Sequence, residues 1–291
     1  MRIVITGASG MIGSRVAAAL RERGDEVVGL SRGGSDGAVR WDPLAEPAPI
    51  GEADAVIHLA GENIAQRWST AARERIRASR VDGTANLIKG IEAADPRPKI
   101  LVSASAVGYY GNRGDELLTE ASSAGEDWLA GVCVGWEQAA LGAVALGLRV
   151  CVLRAGVVLD RKGGALAKML PPFQAGVGGP VAGGRQYVSW IHADDIVAFY
   201  LAALDDARFE GAVNAVAPQA ARNADFSKAL GHALHRPAIA PIPSFALKAL
   251  YGDMAQIVTD SQNVRPERAE GFGFAFAHPE LGEALSDTLS R

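Results

Sequence analysis

At 291 residues, with 48% hydrophobic and 21% charged side chains, the chain can build a full doubly wound domain and a smaller lobe. A formal net charge of −4 without a basic run gives no support for nucleic acid or an anionic membrane surface as a partner. Cys133 and Cys151 suit a reducing compartment. Apolar runs such as Val150-Cys151-Val152-Leu153 are strand-sized and far short of a bilayer span, and no metal-ligand spacing stands out, so no metal is expected.

The chain opens on Ile3-Val4-Ile5, followed at once by Thr6-Gly7-Ala8-Ser9-Gly10-Met11-Ile12-Gly13 and the amphipathic stretch Arg15 to Arg23. This reads as strand, tight turn and helix. With a strand predicted so early, no secretory signal is expected ahead of it. Gly7 permits a sharp exit from the strand, Gly10 lets backbone approach a pyrophosphate, and Gly13 lets the helix pack closely on the sheet. The spacing is GxxGxxG, so its context carries as much weight as the pattern. A second strand, Glu26 to Leu30, ends on Ser31-Arg32, where an NAD site places Asp or Glu. A hydroxyl beside a guanidinium suits a 2′-phosphate, so NADP(H) is expected, although an Arg in this position can also be merely solvated.

Strand and helix patterns then alternate, the rhythm of a parallel sheet covered on both faces. A short strand is predicted at Ala38 to Trp41, a Pro-rich loop at Pro43 to Pro49, and a buried strand at Ala55 to Leu59. A long helix spans Thr70 to Ile91, the next strand Lys99 to Ser103, a helix Asp127 to Leu146, and another strand Arg149 to Arg154. Asp160 to Gln174 reads as loop and helix, and Gly176 to Pro180 breaks the pattern. Beyond Ser189 the elements shorten: helices at Asp194 to Leu204, near Ala224 to Leu234 and at Ser244 to Val258, a strand around Ala212 to Ala215, and a compact, irregular tail. The expected organisation is a cofactor-binding domain over residues 1–175, with core strands recurring to about 215, and a smaller lobe over 176–291 that closes over the carboxyl ends of the strands.

Thr6 to Gly13, His58-Leu59-Ala60-Gly61, Ser103-Ala104-Ser105-Ala106-Val107 and Leu153-Arg154-Ala155-Gly156-Val157-Val158 together resemble the extended short-chain dehydrogenase/reductase superfamily. Gly61-Glu62-Asn63-Ile64, Trp136-Glu137, Ser189-Trp190-Ile191-His192, Asn214 to Pro218 and the tail around Pro266 and Gly271-Phe272 are similar to its epimerase-like branch of YfcH type, with that branch's own C-terminal region. The resemblance covers essentially the whole chain. It implies an NAD(P)-binding Rossmann fold of roughly seven parallel strands, with Gly7, Ser9, Gly10, Met11 and Ile12 around the pyrophosphate and Ser31 and Arg32 at the adenosine phosphate. Leu59, Ala60 and Gly61 would lie beneath the cofactor, and Arg80 and Val157 would complete the pocket; Arg80 also reads as a surface helix charge. The branch has no settled substrate.

In this superfamily a Ser or Thr and a TyrxxxLys pair normally handle the proton. Ser105 fits the hydroxyl position. Four places after Tyr109, Tyr110, Tyr187, Tyr200 and Tyr251 stand Arg113, Gly114, Ile191, Leu204 and Ala255, so the pair is missing. On the helix after Trp128 the spacing is filled by Cys133 and Glu137, which read as a small buried thiol and an ion-pair member. Tyr109 and Tyr110, just beyond Ser105, are the candidate acid/base groups or else packing aromatics. Arg185, in Gly183-Gly184-Arg185-Gln186, is a candidate contact for a sugar-nucleotide diphosphate or a solvated loop residue. His192 is a candidate substrate contact or an organiser of the Asp194-Asp195 turn.

The expected protein is a cytoplasmic NADP(H)-dependent oxidoreductase or epimerase acting on a small hydroxyl or carbonyl compound, nucleotide sugars among the candidates, with the oligomeric state left open and a homodimer among the options. The alternative is a catalytically silent NADP-binding sensor or interaction protein.

Overall fold

The computed structural model describes residues 1–34 and 37–290. Seven strands form one sheet: β1 Arg2–Thr6, β2 Glu26–Ser31, β3 Val39–Arg40, β4 Ala55–His58, β5 Ile100–Ala106, β6 Arg149–Ala155 and β7 Gly211–Ala215. They lie in the order β7-β6-β5-β4-β1-β2-β3, and every neighbouring pair is parallel. The strand order reverses beside β1, which places a crevice at the carboxyl ends of β1 and β4.

Parallel strands buried on both faces need apolar side chains in both directions, and alternate residues divide accordingly. Ile3, Ile5, Ile57, Val102, Cys151 and Leu153 pack on one face with Val16 and Leu20 of helix α1 (Met11–Glu22) and with Ile196 and Phe199 of the helix Ala193–Asp205. Val4, Leu30, Val56, Leu101, Val150 and Val152 pack on the other face, with Leu87 and Ile91 of α2 (Thr70–Ala93), Ala140 of α3 (Trp128–Leu141), and Trp41. A third cluster, including Leu166, Phe173, Trp190, Phe226, Leu230 and Leu285, forms the core of the smaller lobe.

Several boundaries differ from the sequence expectation. The first helix starts at Met11, because Gly10 takes the N-cap position and the turn residues Met11 to Gly13 are already helical. β5 continues to Ala106: the sequence reading stopped at Ser103, yet both serines on this strand are buried with hydrogen-bond partners. The predicted helix to Val258 breaks at Gly252, whose φ of +62° needs a residue without a Cβ. The tail is not irregular throughout, since Leu281–Ser290 is a helix. The seventh sheet strand, Gly211–Ala215, falls where a strand was expected around Ala212 to Ala215.

One apolar segment is longer than the sequence reading allowed: Trp128–Leu146 has the length and composition of a bilayer span. It is a core layer here, with Val132, Cys133, Trp136, Glu137 and Ala140 buried, and a short 3-10 turn from Gly142 to Leu146 closes it.

Candidate functional site

The turn after β1 is sterically closed around its glycines. Gly7 has φ +71°, and a Cβ there would lie 2.9 Å from Ala60 N and Leu59 C. A Cβ on Gly13 would lie 2.2 Å from Gly7 O, so α1 packs against the turn at a distance only glycine permits. Gly10 N donates to Gly7 O across 2.9 Å, and no side chain caps α1, whose first turn also lacks an acidic residue. By contrast, Ser69 caps α2 and Asp127 caps α3. The N–H groups at the start of α1 are therefore left for an anion, and the helix dipole favours one.

Behind the turn, a buried chain of hydrogen bonds ties β1 to β4. Thr6 Oγ1 accepts from Leu59 N at 3.2 Å and Ala60 N at 3.1 Å, so its own proton goes to His58 Nδ1 at 2.7 Å. The His58 proton then sits on Nε2 and reaches Thr84 Oγ1 at 2.8 Å; Thr84 in turn donates to Arg80 O. Burial, reinforced by the Arg80 charge, pushes the His58 pKa down to about 4 and keeps the ring neutral. The segment Leu59-Ala60-Gly61 is thereby held at the carboxyl end of β4.

Arg80 is a brace rather than a surface charge. It donates to Glu62 O at 3.0 Å and Ile76 O at 3.3 Å, and its guanidinium lies 5.0 Å from the Trp136 ring centroid. A Cβ on Gly61 would be 3.3 Å from its Cζ. Burial lowers its pKa. Ser31 ends β2, with its Oγ accepting from Gly34 N at 3.1 Å, and Arg32 beside it is exposed. Val157 N donates to Ser189 O at 2.8 Å, which seats Val157 just past the end of β6.

At the end of β5 the structure closes a polar network. Ser105 donates to Glu137 Oε1 at 2.6 Å, and Arg154 holds both Glu137 oxygens, Nε to Oε1 at 2.9 Å and Nη2 to Oε2 at 2.8 Å. Arg154 Nη1 also donates to the Tyr110 hydroxyl at 3.0 Å, which donates to Asn214 Oδ1 at 2.7 Å. Burial alone would pull the Arg154 pKa down; its bonds to Glu137 and its charged surroundings more than reverse this and hold it up. Burial pushes the Tyr110 phenol up to about 12. Ser105 is 4% exposed and Tyr110 is fully buried. Both were expected as catalytic groups, and both have their hydroxyls committed inside the protein. Tyr109 is half-buried, with its ring centroid 3.4 Å from Arg154 Cζ, and its hydroxyl has no hydrogen-bond partner among the described residues.

The helix that usually supplies the proton-handling pair is apolar where it borders this region. A Cβ on Gly108 would lie 3.1 Å from Leu129 Cδ2 and 3.7 Å from Cys133 Sγ, so Leu129 and Cys133 face the turn after β5. Glu137 lies one helical turn further on and pairs with Arg154. Burial pushes the Cys133 thiol up to about 12, away from nucleophilic thiolate chemistry.

The two expected substrate residues separate. Arg185 is exposed and lines an open hollow of about 610 Å³ with Asp115, Gly183, Gly184, Arg222 and Asp225. Arg222 donates to Asp115 at 2.7 Å and to the Arg185 carbonyl. His192 is 1% exposed, and its Nδ1 accepts from Asp194 N at 3.1 Å, capping the helix Ala193–Asp205. Its Nε2 is 3.2 Å from Asp287 Oδ2, and its ring centroid is 3.7 Å from that of His278. His192 is therefore a buried helix cap, and it borders a separate hollow lined by Arg15, Asp160 and Lys162. His192, Asp194, His278 and Asp287 bring potential metal-ligand atoms within 4.8 Å of one another, a gathering that sequence spacing did not reveal. With Nδ1 accepting the cap bond, the His192 proton sits on Nε2 toward Asp287, a tautomer with no lone pair left for a cation.

The NAD dependent epimerase/dehydratase family matches residues 3–216. The chain belongs to this family. In this NAD dependent epimerase/dehydratase protein, residues 242–288 also match a domain of unknown function, DUF1731. It is 39% identical over 298 residues to the chloroplastic epimerase family protein SDR39U1 homolog of Arabidopsis thaliana, covering 98% of this chain and 86% of the relative. It is 37% identical over 295 residues to the epimerase family protein SDR39U1 of Homo sapiens, covering 100% of both. The crystal structure of human SDR39U1 (isoform 2) with NADPH superimposes with a TM-score of 0.92 at 35% identity over 100% of each chain. A nucleoside-diphosphate sugar epimerase from Corynebacterium glutamicum gives 0.82 at 35% identity, over 99% of this chain and 58% of that one. With a chloroplast protein among the relatives, the family does not fix a compartment, and the cytoplasmic expectation gains nothing from it.

Proposed function

We propose that this epimerase family member binds NADP(H) across the carboxyl ends of β1, β2 and β4 and acts on a small hydroxyl or carbonyl compound, nucleotide sugars included. The uncapped, acid-free start of α1 behind a turn only glycine fits is the observation that carries the cofactor reading. The NADPH held by the human relative and the sugar-nucleotide name of the Corynebacterium relative support it. NADP(H) would supply the hydride. Met11 and Ile12 N–H groups would hold its pyrophosphate, Ser31 and Arg32 its 2′-phosphate, and Leu59 to Gly61 would support it from below. With Ser105 and Tyr110 committed to the buried network, Tyr109 is the remaining proton carrier near the end of β5, standing over the Arg154 guanidinium.

The test is a side-by-side fluorescence titration with NADPH and NADH, repeated on Arg32→Ala, followed by a carbonyl and sugar-nucleotide panel read by NADPH absorbance and hydride-label exchange. Tight NADPH binding that weakens selectively in the variant supports the cofactor site; equal or absent binding of the two cofactors refutes it. A specific observation favours a second reading, a catalytically silent NADP(H)-binding protein: Cys133 and Glu137 stand at the spacing of the superfamily's acid and lysine, the thiol buried and the carboxylate locked to Arg154. Cofactor binding without turnover or exchange across the panel would select that reading.

A further inference from the structure

β2 and β3 pair in parallel with Leu30 opposite Val39 and Ser31 opposite Arg40. Register partners on parallel strands project to the same side of a sheet, so Ser31 and Arg40 share a face. That face is the one carrying the glycine turn: a Cβ on Gly29, two residues before Ser31, would lie 3.2 Å from Ala8 Cβ and 3.5 Å from Ala38 Cβ. Trp41, the next residue after Arg40, is 1% exposed in the opposite core layer beside Leu30, as strand alternation requires. Gly34 lies close to this point. Gly34 N donates to Ser31 Oγ, and a Cβ on Gly34 would be 3.5 Å from Arg40 Cβ.

We propose that Arg40 is a second guanidinium of the adenosine 2′-phosphate site, selecting NADPH over NADH together with Ser31 and Arg32. The assignment rests on the NADP(H) reading above. A ribose 2′-phosphate is close to a dianion at neutral pH, and one guanidinium neutralises only part of it. Arg32 and Arg40 are both exposed, and neither forms an ion pair with a described residue. Their charge is therefore uncompensated by the described residues at the end of β2. Eight positions separate them in sequence, and only the register of a two-residue edge strand brings Arg40 beside Ser31.

The experiment is a binding titration of the wild-type chain, Arg40→Ala, Arg40→Lys and Arg32→Ala with NADPH, NADH and 2′,5′-ADP. Removing one charge-assisted phosphate contact is expected to weaken NADPH and 2′,5′-ADP about tenfold in Arg40→Ala, with NADH within about twofold and Arg40→Lys in between. The NADPH affinity of Arg40→Ala should also fall less steeply with added salt. Unchanged NADPH and 2′,5′-ADP binding in Arg40→Ala, alongside a loss in Arg32→Ala, overturns the Arg40 assignment and leaves the NADP(H) reading standing. An equal loss of NADH in Arg40→Ala overturns it as well, because the contact would then not be to the phosphate. A wild-type chain that does not prefer NADPH overturns both.

Discussion

The Ser105 hydroxyl donates to Glu137 Oε1 across 2.6 Å, and the same carboxylate is clasped on both oxygens by Arg154. A serine read as a catalytic hydroxyl is thus one end of a buried ion-pair network at the carboxyl end of the sheet. A buried carboxylate needs its cation, and here three strands and a helix converge to supply it. Glu137→Ala, which leaves Arg154 buried without its partner, is expected to cost about 3–5 kcal/mol of stability in urea denaturation. Glu137→Gln keeps an acceptor for Ser105 and should cost less. Equal losses for the two variants would assign the whole cost to the charge and none to the retained acceptor.

Adjacent tyrosines should separate in their effects. Tyr110→Phe removes the partner of both Asn214 Oδ1 and Arg154 Nη1 and is expected to lower stability by about 1–3 kcal/mol while leaving NADPH affinity unchanged. Tyr109→Phe should leave stability within about 0.5 kcal/mol. On whichever substrate the panel identifies, it should reduce turnover by about a hundredfold or more. Full turnover in Tyr109→Phe would remove the last proton carrier assigned to this region.

Two glycine substitutions make a matched pair. Gly13→Ala puts a Cβ 2.2 Å from Gly7 O and must open the turn, at a cost of about 1–3 kcal/mol and a similar loss in NADPH binding energy, about tenfold or more in affinity. Gly131→Ala, at an exposed position in α3 with nothing within 4 Å of the new Cβ, should instead stabilise by about 0.5–1 kcal/mol. Differential scanning calorimetry and cofactor titration read both. A Gly13→Ala protein that still binds NADPH at wild-type affinity would show that the turn does not hold the pyrophosphate.

Stability should fall between neutral pH and about pH 4. His58 keeps a pKa near 4 in the fold against 6.5 for the free side chain, so between those values the unfolded chain binds a proton that the folded chain refuses. Unfolding is then favoured as pH drops through 6.5, by up to about 3 kcal/mol at the lower end. His192, also lowered by burial and by His278 beside it, acts in the same direction. Denaturant melts from pH 7.5 to 5 should show proton uptake on unfolding. A flat profile would mean that His58 accepts its proton within the folded network.

Much of this protein could be read directly from the order of its residues. The glycines at 10 and 13 announce a tight turn because each packs against Gly7 a few residues away, and the β-branched runs around Ile3, Val56 and Val150 announce buried parallel strands because both faces of each are apolar. Ser31 and Arg32 could be placed at the end of β2 from the strand pattern, and the missing TyrxxxLys spacing is a local property of the chain.

Tertiary structure alone decided the fate of the polar groups. Ser105, Glu137, Arg154, Tyr110 and Asn214 span more than a hundred positions, and whether each faces a cleft or another side chain depends on how β5, β6, β7 and α3 pack. The same holds for His192, which became a buried cap once the tail folded back with His278 and Asp287, and for Arg40, which a two-residue strand sets beside Ser31. Local pattern specifies backbone shape through sterics between near neighbours. A polar side chain's role depends on which distant partner satisfies it, and only the assembled fold supplies that partner.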